Sequence, residues 1–150
     1  MIAVTHLAVG AAAGLWSARL AGTIIPFESP SAQLAIQTGT ALVIGTASHI
    51  VLDAIPHNDE IYKTGCGTAL VLIPELVVVL SVIFGLVIFR NLSPIIIFAG
   101  VIGAAWLDLF SMLGIMHSVH GIFHSAHDPG MIGSLITQLV IAVIALIFLF

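Results

Sequence analysis

Residues 131–150 read MIGSLITQLVIAVIALIFLF, twenty consecutive positions without a charged side chain. A helix of that length covers about 30 Å at 1.5 Å per residue, the thickness of a bilayer's hydrocarbon core. Read outward toward the N-terminus, the chain offers four more stretches of similar kind: 2–20 (IAVTHLAVGAAAGLWSARL), 31–54, 67–89 (GTALVLIPELVVVLSVIFGLVIF) and 94–116. Composition agrees. Hydrophobic residues make up 60% of the 150 positions and charged residues 7%. A soluble domain carries about 25% charged residues and could not cover its surface with so few, and disorder needs the opposite balance. The sequence therefore predicts an all-α integral membrane bundle of about five hydrophobic helices, forming a single domain over 1–150 and embedded in the lipid bilayer.

The same figures exclude several classes. Three Lys+Arg, at Arg19, Lys63 and Arg90, are too few and too scattered for a polybasic lipid patch or a nucleic-acid surface. The single cysteine, Cys66, allows neither an intrachain disulfide nor a Cys-based zinc ribbon. No Lys or Arg precedes the first apolar stretch, so residues 1–20 are expected to stay in the mature protein. Oligomeric state leaves no sequence signature here.

Local signals place the ends of the segments. Gly10 and Gly14 give the first segment a small-xxx-small spacing, and its shortness suggests tilt or partial insertion. Segment two starts after Pro30, with Ser31 as its expected cap, and ends before Pro56. Pro74 predicts a kink in segment three. The short connection 90–93 predicts an antiparallel hairpin of segments three and four.

Five crossings put the polar residues on one side. His6 lies near the N-terminus; His49, Asp53, His57, Asp59 and Glu60 close segment two; His117, His120, His124, His127 and Asp128 follow segment four. All seven histidines thus belong to one membrane face, and of the seven acids only Glu28 belongs to the other. Glu75 and Asp108 each lie eight residues, about 12 Å, below that same face if the segments run to 67 and 116. Arg19 and Arg90 against Lys63 set the His-rich face outside the cytoplasm.

Two motifs carry chemistry. In His49-Ile-Val-Leu-Asp53-Ala-Ile-Pro-His57-Asn-Asp59, the four-residue spacing puts His49 and Asp53 on one helix face, and Pro56 can turn His57 and Asp59 back over the helix end. Imidazole and carboxylate are ordinary ligands for zinc and similar divalent ions; the structural alternative is a helix end whose polar residues face water. In His117-Ser-Val-His120-Gly-Ile-Phe-His124-Ser-Ala-His127-Asp128, His120 and His124 form an i,i+4 pair, with i,i+3 pairs as alternatives and a titratable surface loop as the bland reading. Glu75 and Asp108 are costly inside a bilayer, so they should face the bundle interior, pair, bind an ion or carry a proton. His6 is either an interfacial residue or a ligand.

THLAVGAAAG, SHIVLDAIPHND, Asp108 and HGIFHS before a last apolar helix resemble, in order and spacing, small bacterial membrane proteins of the membrane-bound metal-dependent hydrolase family. These are regarded as distant relatives of all-helical zinc phospholipases and P1-type nucleases. The resemblance implies metal-ligand roles for His6, His49, Asp53, His57, Asp108, His120 and His124, and a place in the bacterial inner membrane. The family often shows His-Arg-Gly-x-Thr-His-Ser; this chain has HGIFHS, without the arginine and with one residue fewer between the histidines. The leading expectation is a zinc-dependent hydrolase of a phosphoester such as a lipid head group, with His49, Asp53, His120 and His124 on the metal. Asp108 would ligate or orient a ligand, and Glu75 would act as general base. A divalent metal or proton transporter, using Glu75 and Asp108 as a relay, and a non-enzymatic metal-binding module are the alternatives.

Overall fold

The computed structural model describes residues 3–55, 65–89, 91–115 and 130–149. Five helices follow one another: α1 Ala3–Ile24, α2 Pro30–Asp53, α3 Gly65–Phe89, α4 Pro94–Met112 and α5 Gly130–Leu149. No strand occurs among the described residues. Val4–Ile24, Pro30–Asp53, Pro94–Ser111 and Ile132–Leu149 are long and apolar enough to cross a membrane, whereas the described apolar run of α3, Leu76–Phe89, is shorter. Large apolar side chains such as Val43, Val51, Phe84, Ile102 and Leu139 are exposed on the outside, as lipid-facing residues should be.

The helix ends have local causes. Ser29, not Ser31, caps α2: its hydroxyl accepts from Ala32 N at 3.2 Å, and Pro30 takes the first helical turn, where a missing N–H costs nothing. Past α3, Asn91 adopts a left-handed φ of 51° and Leu92 N donates back to Val87 O at 3.2 Å. That six-to-one bond closes orphan carbonyls at a helix end. The same device ends α4 early. Gly114 has φ 75°, and Ile115 N donates to Phe110 O at 3.0 Å. Segment four therefore stops at Met112 rather than 116, and Asp108 stands four residues, about 6 Å, from the helix end. Glu75 stands ten residues into α3, so the equal depth expected of the two acids does not hold along their helices. α3 runs on as helix through Pro74.

The first segment, expected over 2–20, is a 22-residue helix that runs to Ile24 and lies at the hub of the bundle. It packs against each of the other four helices, while α2 and α4 also pack on each other. Ala8, Ala11, Ala12 and Ala18 are buried along it, since small side chains let several neighbours approach at once. α3 reaches the core through Val79 and Ile83 and has α1, not α4, as its main partner among the described residues. The tight α3–α4 turn is thus present without a closely packed hairpin.

Directions follow from side-chain bonds. Thr5 Oγ1 donates to Gln138 O at 3.3 Å and Trp16 Nε1 to Phe148 O at 2.7 Å, so α1 and α5 run parallel. Gln37 Nε2 donates to Ala18 O at 3.1 Å across the antiparallel α1–α2 pair. Trp106 Nε1 donates to Thr46 Oγ1 at 2.9 Å between α2 and α4, which run parallel. Alternating directions put the starts of α1 and α5 and the ends of α2 and α4 at one end of the bundle.

Candidate metal centre

That end holds the polar core. α1 presents His6 in its first turn; the last turn and a half of α2 present His49 and Asp53; α4 presents Asp108 near its end. His6 Nε2 lies 3.3 Å from Asp53 Oδ1, His49 Nε2 lies 3.1 Å from Asp53 Oδ2, and His49 Nε2 lies 3.6 Å from Asp108 Oδ1. The two imidazoles are 4.3 Å apart between centroids, tilted by 38°. Both rings and Asp53 are buried, whereas the Asp108 side chain is 42% exposed. The cluster is therefore closed on three helices and open at Asp108.

His49 and Asp53 meet because four helical residues stack their side chains on one face. Asp53 then divides its two oxygens between rings from different helices. The Ala104 backbone of α4 also stands beside the His49 ring. A backbone partner carries no sequence signal, so only the structure finds it. His6 Nδ1 is buried with no hydrogen-bond partner among the described residues.

The donor set fits a divalent cation. Two ligands held about 2.0–2.2 Å from one tetrahedral ion stand about 3.3–3.6 Å from each other. The nitrogen–oxygen separations of 3.1–3.6 Å bracket that edge length. Ligand atoms of His6, His49 and Asp108 all lie within 4.8 Å of one another, a group that can hold a metal ion. Charge points the same way. With neutral imidazoles, Asp53 and Asp108 leave two negative charges at one end of an apolar bundle. Burial of the Asp53 charge is costly unless a proton or a cation offsets it, and a divalent ion does so with no proton taken up.

Of the residues singled out in the sequence, the structure brings together His6, His49, Asp53 and Asp108. His57, His120 and His124 lie outside the described residues, and so does the side chain of Glu75, whose backbone belongs to α3. Thr5, Ser134 and Gln138 form a buried polar seam between α1 and α5, with Gln138 Nε2 donating to Ser134 Oγ at 2.6 Å. Trp106 bonds across to Thr46 of α2. No family model, curated protein or solved structure matches the chain.

Proposed function

We propose that this chain is a membrane-embedded, metal-dependent hydrolase of phosphoesters such as lipid head groups, with its His-rich end outside the cytoplasm. The observation that supports this reading best is the convergence of two imidazoles and two carboxylates from three helices, buried except at Asp108. His6, His49 and Asp53 would hold the ion from the buried side, and Asp108 from the open side. When bound, a zinc-like ion supplies Lewis acidity that polarises a phosphoryl oxygen and acidifies a water.

The residues of the chain do the rest. The Ala104 backbone beside the His49 ring would orient it, as partners outside the ligand sphere commonly do for ligating histidines. Asp53, beside the Nε2 atoms of both rings, would share the ion with them. Asp108, at the exposed edge, would take a proton as water attacks phosphorus and return it to the alkoxide oxygen released when the ester P–O bond breaks. Glu75 is the second candidate for that proton. Position inside a bilayer lets a lipid substrate arrive by lateral diffusion.

Transport is disfavoured by what lies beneath the site. One turn below His6 and His49, α1 at Gly10 and α2 at Gly45 both pack closely on Gly100 of α4, and such packing narrows any path for an ion between these helices. The test uses untagged protein in phospholipid vesicles with added divalent metal. Head-group phosphoester cleavage should appear, stop with a chelator, and be lost in His49→Ala and Asp53→Ala. Absence of cleavage in the metal-loaded protein, or cleavage unchanged in both variants, would contradict the reading.

A further inference from the structure

The glycine contact beneath the site is more than close packing. A Cβ added at Gly45 would collide with the Gly100 carbonyl oxygen, one at Gly100 with the Gly10 carbonyl oxygen, and one at Gly10 with Ala104 Cβ. Three helices therefore touch backbone to backbone at a single node. From that node the ligands follow at whole-turn spacing: His6 four residues before Gly10, His49 four after Gly45, and Asp108 eight after Gly100. Because α1 runs opposite to α2 and α4, all three steps lead the same way along the bundle.

We propose that Gly10, Gly45 and Gly100 are positioning residues that set the ligand spacing, and with it the size of ion that the site accepts. The inference rests on the metal reading above. The glycines offer no side chain to the ion; they act by fixing how far apart the helices that carry His6, His49 and Asp108 stand. A methyl group at the node must part the backbones by about 1 Å to restore ordinary contact. Metal–ligand distances tolerate only about 0.2 Å. One turn away, such a displacement stretches the coordination of a small ion and suits a larger one.

The experiment titrates untagged wild-type protein and variants with Zn²⁺ and with the larger Cd²⁺. Gly45→Ala should weaken Zn²⁺ binding by about 10–100-fold, the range for changes beside a ligand sphere, and should shift preference toward Cd²⁺. Gly14→Ala should do the same to a smaller degree, since its Cβ would stand 2.8 Å from Gly100 Cα and 3.3 Å from Ala41 Cβ; it serves if Gly45→Ala does not fold. Gly39→Ala is the control on the same helix: its Cβ meets nothing within 4 Å, and both affinities should stay unchanged. A general weakening of the bundle would lower both affinities in parallel. That result, or unchanged binding in the node variants, overturns the inference while the metal reading stands. A wild-type protein that binds neither ion overturns both.

Discussion

Asp53 is the residue on which the site turns. It is the carboxylate that reaches rings on two helices, and it is buried, whereas Asp108 approaches one ring at 3.6 Å and is partly exposed. The two aspartates should therefore differ in effect. Asp53→Asn should weaken divalent-ion binding by more than about 10–100-fold, the cost of changes merely adjacent to a ligand sphere. Asp108→Asn should cost less, because water can replace an exposed ligand. Competition against a chelating dye measures both, and the reverse order would show that the ion sits away from Asp53. The pairing of His49 with Asp53 was readable as an i,i+4 spacing near a helix end. The part played by His6 was not, because nothing in THLAVG states which neighbour α1 will meet. Its placement depends on α1 being the hub, and that depends on alanines and glycines whose partners lie far away in the chain.

The helices show the same division between local and distant information. All five segment starts and three of the five ends fell within two residues of the boundaries that apolar runs, prolines and caps predict, because those signals act locally; α1 runs four residues past its expected end at 20. The end of α4 was missed by four residues, although Gly114 offered the signal: a left-handed position that stops a helix. Nothing local to Trp106 names its partner, yet its indole N–H finds Thr46 on α2. In lipid, helices gain no hydrophobic drive to associate, so such bonds and close glycine contacts hold the pair. Trp106→Phe keeps the ring beside Phe110, 5.7 Å away, and removes only the donor. It should cost about 0.6 kcal/mol, the average for interhelical bonds in membranes, in a detergent-denaturation titration. Thr46→Val should cost a similar amount and add little in the double variant. Fully additive losses would mean that the bond contributes nothing.

As a whole, the molecule combines an apolar exterior with a polar end assembled from three helices. Composition alone fixed the exterior, since 60% hydrophobic and 7% charged residues admit few other solutions. Counting crossings placed the histidines on one side, and the observed directions of α1, α2, α4 and α5 agree for His6 and His49. What counting could not supply is distance: that two rings would stand 4.3 Å apart with one carboxylate reaching the Nε2 atom of each. The central claim is that this arrangement is a metal site, and X-ray absorption at the metal edge of the untagged protein addresses it most directly. A stoichiometric ion with imidazole nitrogen and carboxylate oxygen at about 2.0–2.2 Å, lost in His49→Ala, is the predicted result. Protein that carries no stoichiometric ion after divalent metal is supplied, or an ion whose shell lacks imidazole, would contradict it.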